Sequence, residues 1–179
     1  MRIGISGAQS VGKTTLLNAL RSEKCFKHYN IRNEVTRTVK NYGININENG
    51  SDTSQLLIMK EHIYNVTMFH DMITDRTLLD GIVYTTWLYE KANVVTEEVY
   101  KECLRVFEKL IGQYAFIFYI KPEFPIEHDG VRSSDEKWQN EIVDIFTTAI
   151  ETYKIPVIMV SGSVRERVNT ILKTLGEIK

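Results

Sequence analysis

Residues 7–14 constrain the fold of this chain more than any other segment. They read Gly-Ala-Gln-Ser-Val-Gly-Lys-Thr, a complete G-x-x-x-x-G-K-[ST] motif. Residues 2–6 before it predict a short buried strand, and residues 14–20 predict the first turns of a helix. In a strand–loop–helix setting the glycines let the backbone wrap around a polyphosphate, so that amide groups and the helix N-terminus point at the anion. The motif therefore predicts that the chain binds a nucleoside triphosphate.

Two residues of this motif have expected partners in ATP and Mg²⁺. Lys13 should reach the β- and γ-phosphates, and the Thr14 hydroxyl should complete the Mg²⁺ shell. The predicted nucleotide-binding residues are Gly7, Ala8, Gln9, Ser10, Val11, Gly12, Lys13, Thr14 and Thr15.

The composition limits the class of protein and of partner. A chain of 179 residues predicts a single domain with one core. Charged residues make up 25% and the net charge is −1, so no strong field favours DNA, RNA or an anionic membrane, although a local basic groove stays open. The longest apolar run, residues 115–120, is too short to span a bilayer.

The cysteines and histidines predict neither a disulfide framework nor a zinc site. Only Cys25 and Cys103 occur, and they lie far apart in the sequence. The four histidines lack the spacing of a metal motif and are expected at the surface or hydrogen-bonded. The first strand begins at residue 2 and leaves no room for an apolar targeting segment. The expected location is the cytoplasm, or the host cytoplasm if the chain is viral.

Strand and helix signals alternate along the chain. The predicted strands are residues 2–6, 31–35, 71–75, 115–120 and 156–160, and the predicted helices follow them at 14–20, 54–69, 77–91, 99–111, 138–153 and 163–175. Residues 43–52, rich in Asn and Gly, predict an exposed loop. This alternation indicates a three-layer α/β sandwich around a parallel sheet. Ligands should bind at the carboxyl ends of the strands, so polar residues that follow strands become functional candidates.

On these residues the chain resembles the P-loop nucleoside and nucleotide kinases, and within them the ribosylnicotinamide-kinase-like domains that are often described only as AAA-family ATPases. The resemblance rests on residues 7–14, 34–37, 75–77 with Asp80, and 129–132. It implies a five-stranded parallel sheet in the order 2-3-1-4-5, with a lid near residues 123–137. It also implies that the chain uses ATP and Mg²⁺ to phosphorylate a small nucleoside or nucleotide acceptor. The sequence leaves monomer and homodimer both open.

The resemblance implies catalytic roles for three further residues, each with a structural alternative. Asp75, at a strand end, would hold Mg²⁺ directly or through water with Thr14, or would only cap the next helix. Glu34 would take the proton of an acceptor hydroxyl, a base that kinases acting on monophosphates do not need, or would simply pair with Arg37. Arg132, in the lid, would stabilise charge on the transferring phosphoryl group, or would lie in a solvated turn. Kinase lids often carry several arginines, and this segment has one.

Candidates for binding the acceptor and the adenine are less specific. Arg37 would bind an acceptor phosphate or pair with Glu34, and Arg76 would bind phosphate or form a structural salt bridge. Gln55 and Tyr64 would hydrogen-bond or stack on an acceptor base. On the adenine side, the candidates after the last strand are Ser161 and Gly162.

Three functions remain open on the sequence. The first is a small-molecule kinase that moves the γ-phosphoryl group of ATP to a nucleoside or nucleotide-like acceptor. The second is a kinase that acts on a nucleotide within DNA, for which a basic rim would come from Lys24, Lys27, Arg32, Arg37 and Lys40. The third is a nucleotide-driven switch, which the absence of an N-K-x-D motif disfavours.

Overall fold

A computed structural model describes residues 1–123 and 136–178 of the chain. Within these ranges five strands form one parallel sheet in the order β2-β3-β1-β4-β5. The strands are β1 (Arg2–Gly7), β2 (Asn30–Arg32), β3 (Met72–Asp75), β4 (Phe116–Ile120) and β5 (Val157–Met159). The predicted α/β class and the strand order 2-3-1-4-5 are confirmed.

Helices cover the sheet. They are α1 (Lys13–Arg21), α2 (Val35–Asn41), α3 (Asp52–Met68), α4 (Leu78–Glu90), α5 (Glu97–Leu110), α6 (Glu136–Thr152) and α7 (Val164–Thr174). Helix α1 packs on α7, whereas α3, α4, α5 and α6 pack against one another. The chain runs from β1 outward to β2 and then back across the sheet through β3, β4 and β5. Because parallel crossovers are right-handed, this reversal after β2 puts the two groups on opposite faces of the sheet. In the described part of the chain, no helix has the length and apolar character needed to cross a membrane.

The core lies where the two central strands are covered on both faces. Ile3 and Ile5 of β1 are fully buried, as are Phe118 and Ile120 of β4. Continuous apolar strands of this kind are typical of parallel sheets covered by helices. The buried centre of the sheet therefore fixes where β1 ends and where the following loop begins.

The segment between β2 and α3 differs from the prediction. The second strand ends at Arg32, and residues 35–41 form α2, because Val35 and Val39 one turn apart bury a common face against Ile58. The predicted exposed loop at residues 43–52 is partly folded: it contains a 3₁₀ turn (Asn47–Asn49), Gly50 is buried, and α3 already begins at Asp52. This folded segment forms one wall of the site described next.

Candidate active site

The loop between β1 and α1 has the backbone that phosphate binding requires. Gly7 and Gly12 adopt positive φ angles of 149° and 87°. A Cβ at position 7 would lie 2.4 Å from the carbonyl oxygen of Ile120, so the loop passes β4 too closely for any residue but glycine. Helix α1 then begins at Lys13 with its free amide groups facing the loop. Of the remaining predicted residues of this loop, Ala8, Gln9 and Val11 are buried, Ser10 is half-buried and Thr15 is exposed.

Lys13 is the buried cation of this loop. Its Nζ donates to the carbonyl oxygens of Gly7 at 2.7 Å and of Ala8 at 2.5 Å. Burial, together with the nearby charge of Arg76, lowers the pKa of Lys13 to about 8. The ammonium therefore lies over the loop, where the oxygens of a polyphosphate can bind it.

Thr14 and Asp75 meet opposite this loop. Thr14 Oγ1 donates to Asp75 Oδ2 at 2.6 Å, across the space between α1 and the end of β3. Asp75 is buried, and its Oδ1 has no hydrogen-bond partner among the described residues. Burial raises the pKa of Asp75 against the opposing charge of Lys13. The Thr14 hydroxyl and the Asp75 carboxylate, with its unpaired buried oxygen, fit Mg²⁺. This ion usually takes one or two protein oxygens and completes its shell with phosphates and water.

Glu34 and Arg76 form a buried ion pair beside these groups. Arg76 Nε lies 2.7 Å from Glu34 Oε1, and Glu34 also accepts from Thr36 at 2.8 Å and from Arg37 at 3.2 Å. Burial alone would raise the pKa of Glu34, but the charges of Arg76 and Lys13 hold it well below its usual range. Glu34 is therefore ionised and occupies the N-cap position of α2, not a strand as the sequence predicted.

Two cavities share the arginine of this ion pair. The P-loop cavity contains Lys13, Thr14, Glu34, Asp75 and Arg76 in its lining. The α3–α4 cavity is lined by Thr36, Asn47, Gln55, Ile58, His62, Arg76, Asp80, Gly81, Tyr84 and Leu88. Arg76 lines both cavities. The same side chain would therefore border a ligand in the second cavity and phosphates in the first.

Arg76 is locked in place from several sides. Its backbone has a positive φ of 76°, unusual for a residue with a side chain. Its guanidinium is 3.7 Å from Asp80 Oδ1 and lies over the ring of Tyr84, 4.8 Å from the centroid. Asp80 also accepts from the amide of Gly7 at 3.3 Å and from the amide of Thr77 in a capping box. It therefore connects the loop to the start of α4.

The structure brings some of the predicted binding residues together and separates others. Gln55 is buried in the lining of the α3–α4 cavity, where it accepts from Thr85 and donates to Ser54. Tyr64 is 45% exposed on α3, near the guanidinium of Arg32, and is not among the described residues that line that cavity.

The structure describes the loop after β5 but almost none of the predicted lid. Arg132 and nearly all of the predicted lid lie outside the described residues, so the role of Arg132 stays a prediction. Ser161 and Gly162 follow β5, and the amide of Gly162 donates to Glu123 at 2.8 Å. Ser163 is the N-cap of α7, and it forms a capping box with Glu166.

Sequence reasoning missed two residues that support the loop. Arg167, buried in α7, donates from Nη1 to the carbonyl of Val11 at 2.7 Å and from Nε to that of Gly162 at 2.8 Å. Gln139 of α6 donates to the carbonyl of Gln9 at 2.7 Å. The contacts with Val11 and Gln9 each span well over 100 residues, and no local pattern in the sequence marks them.

The expectation for the histidines is wrong at position 62. His62 is 1% exposed, and neither ring nitrogen has a hydrogen-bond partner among the described residues. Burial, with the nearby charge of Arg76, lowers the pKa of His62 to about 3, so the imidazole is neutral. A polar residue on the apolar face of α3 was the available signal.

Comparison with known families agrees with this geometry. The model of a family described as an AAA domain matches residues 2–167. The chain belongs to this AAA-domain family. The predicted resemblance is thereby confirmed at the level of the family. No curated protein matches the sequence.

Several solved structures are similar to this AAA-domain protein, and a deoxyadenosine kinase is among them. A NadR protein in complex with NR has a TM-score of 0.76 at 15% identity; the match covers 99% of this chain and 52% of that one. The present chain thus spans about half the length of NadR. A deoxyadenosine kinase from M. mycoides, with the products dCMP and dCDP bound, has a TM-score of 0.69 at 18% identity over 100% of both chains. The YorR protein from Bacillus subtilis, in complex with phosphorylated GDP, has a TM-score of 0.60 at 13% identity over 98% of this chain and 96% of that one. At these identities the likeness establishes the fold.

Proposed function

We propose that this protein is an ATP-dependent kinase that transfers the γ-phosphoryl group to a nucleoside or nucleotide-like acceptor. The observation that carries the proposal is the position of Arg76 and Glu34 at the junction of the P-loop cavity and the α3–α4 cavity. A hydrolase or a switch needs only the first cavity. A second cavity that shares Arg76 with the first would give an acceptor a place beside the phosphate to be transferred.

The P-loop side would bind and neutralise the donor. The loop amides and Lys13 would hold the β- and γ-phosphates, and Thr14 and Asp75 would hold Mg²⁺. When bound, Mg²⁺ would offset the negative charge of the phosphates. Phosphoryl transfer needs mainly positioning and charge stabilisation, which this arrangement of fixed groups supplies.

The proposed base is Glu34. Its carboxylate is ionised and already lines the P-loop cavity, so it can accept the proton of an acceptor hydroxyl without first losing one of its own. Arg76 would keep the carboxylate in position and would lie close to the transferred group. Its depressed pKa makes Glu34 a weak base, which suits a reaction in which the hydroxyl loses its proton late.

A nucleoside monophosphate is the second candidate acceptor, and a specific contact favours it. Arg37 and Arg76 flank the same carboxylate, at 3.2 and 2.7 Å, and both present donors to it. Two guanidinium groups on one anionic site can also bind a phosphate bidentately. In that case Glu34 would orient the two arginines and would take no proton.

The similar structures support this range of acceptors. NadR was solved with NR, the M. mycoides enzyme with dCMP and dCDP, and YorR with phosphorylated GDP. For a nucleotide within DNA the support is weaker, because two cations of the predicted basic rim are already engaged: Arg32 bonds Asn65, and Arg37 pairs with Glu34.

An acceptor screen tests the proposal. Labelled ATP and Mg²⁺ would be incubated with nucleosides, nucleoside monophosphates, nicotinamide riboside, duplex DNA, and no acceptor. We expect label on one class of acceptor. Phosphate release that is equal in every reaction, including the one without acceptor, would instead support the switch.

A further inference from the structure

The α3–α4 cavity is charged at one end only. Arg76 and Asp80 are its charged lining residues among those the structure describes, and Arg76 marks the end shared with the P-loop cavity. The rest of the described lining is neutral and includes Ile58 and Leu88. A neutral, partly apolar wall is suited to a heterocyclic ring rather than to a phosphate.

Within that wall, His62 is the unsatisfied group. It is almost fully buried, and neither Nδ1 nor Nε2 has a hydrogen-bond partner in the described part of the chain. Other polar side chains around it are already bonded: Gln55 to Thr85 and Ser54, and Tyr84 to Gln9. Buried polar groups without partners are rare in folded proteins and call for an explanation.

We propose that His62 determines which ring the α3–α4 cavity accepts, by hydrogen-bonding the edge of a heterocyclic base on the acceptor. This inference rests on the proposed kinase function and adds the group that reads the acceptor. A neutral imidazole offers one donor and one acceptor, so it can match a base edge that carries either.

The close packing of α3 on α4 holds the ring in place. A Cβ built on Gly81 would lie 3.3 Å from His62 Cδ2 and 3.1 Å from Met59 Sδ, so the absence of a side chain at position 81 is what leaves space for the imidazole. A site built to hydrogen-bond a substrate rejects analogues that lack the bonding group, because its own polar atoms are then left unpaired. Discrimination between rings is therefore the property that His62 should control.

The test compares pairs of acceptors that differ only at the ring edge. The pairs are adenosine and purine riboside, cytidine and pyrimidin-2-one riboside, and nicotinamide riboside and pyridinium riboside. Values of kcat/KM would be measured for wild type, His62→Phe, which removes both nitrogens, and His62→Gln, which keeps a donor and an acceptor. His70→Phe is the matched control, because the side chain of His70 is 84% exposed.

For the best wild-type pair, we expect the analogue to be about tenfold worse, the effect of one hydrogen bond. His62→Phe should reduce that ratio to near one by slowing the natural acceptor, His62→Gln should restore part of it, and His70→Phe should leave it unchanged. A His62→Phe variant that slows both members equally, or keeps the wild-type ratio, would overturn the inference.

A binding measurement on the wild-type protein separates this inference from the kinase proposal. With ¹⁵N-labelled histidine, the ring nitrogens of His62 should shift in the NMR spectrum when the best acceptor is added without ATP. Absence of a shift with all six compounds overturns the role of His62, whatever the transfer assay shows. Failure of transfer together with a shift at His62 would instead count against the kinase proposal alone. The same spectrum decides the question if His62→Phe does not fold.

Discussion

Arg76 Nε lies 2.7 Å from Glu34 Oε1, and this pair connects the end of β3 to the start of α2 at the border of two cavities. The backbone explains how Arg76 reaches that place. Its amide still donates to Ile5 of β1 at 2.9 Å, while its positive φ turns the chain toward the cap of α4. A left-handed backbone at a residue with a side chain costs about 1–2 kcal/mol, so the surrounding contacts must hold it there.

Replacing Glu34 tests whether it acts as a base. We expect Glu34→Gln to lower turnover by about 10²-fold or more with little change in ATP affinity, because the amide cannot take the proton. Steady-state kinetics and calorimetric titration of an ATP analogue would measure the two effects. A nearly normal rate would show that no base is needed and would favour a monophosphate acceptor.

Replacing Lys13 tests the phosphate site. Lys13→Ala should lower phosphoryl transfer by about 10²–10³-fold or more, since it removes a cation aimed at the developing charge. The fold should persist, because a buried ammonium contributes little to the core. Thermal unfolding monitored by circular dichroism checks this point, and a variant that is unfolded at ordinary temperature would contradict the assignment.

The pH dependence of ATP binding follows from the pKa of Lys13. Burial lowers this pKa to about 8, and the protonated form is the one that binds phosphate. As pH rises above about 8, more of the free protein holds neutral Lys13, so ATP affinity should fall by up to about tenfold per pH unit. Calorimetry with a non-hydrolysable ATP analogue between pH 7.5 and 9.5 would measure it. Lys13→Arg keeps its charge throughout and should give a flat profile, whereas a flat profile in wild type would count against the prediction.

Arg167 should stabilise both the loop and the fold. Arg167→Ala removes two charge-assisted hydrogen bonds to the carbonyls of Val11 and Gly162, and it leaves Glu123 without its 3.5 Å ion-pair partner. We expect the free energy of unfolding to fall by about 2–4 kcal/mol and the KM for ATP to rise several-fold. Urea unfolding and kinetics would measure the two.

The matched control for this variant is Arg165→Ala in the same helix. The side chain of Arg165 is 74% exposed and makes a surface ion pair with Glu23 at 3.3 Å. Exposed pairs contribute about 0–1 kcal/mol. If the two variants lost equal stability, the buried contacts of Arg167 would not be supporting the loop.

The sequence predicted those parts of the protein in which local pattern and chemistry agree. The loop motif placed Lys13 and Thr14, and the order of strands and helices placed Asp75 at a strand end near them. The sequence pointed to Glu34 but placed it in a strand, whereas it is the N-cap of α2. The strand β2 ends earlier because Val35 and Val39 pack with Ile58 in a small apolar cluster.

What the sequence could not predict depends on contacts between distant segments. Arg167 reads as one more polar residue on a charged helix until α7 packs on α1 and brings it to Val11. His62 reads as a surface or hydrogen-bonded histidine until α4 covers it, with Gly81 leaving the space for its ring. In both cases the packing of one helix against a distant segment decides the role of the residue.

The most direct test of the account is transfer of label from γ-labelled ATP to an acceptor, measured in parallel for wild type and Lys13→Ala. We expect wild type to place label on a nucleoside or nucleotide and to release ADP only when that acceptor is present, and we expect Lys13→Ala to do so at least about 10²–10³-fold more slowly. Release of ADP by wild type at the same rate with and without every acceptor, with no labelled product, would contradict it.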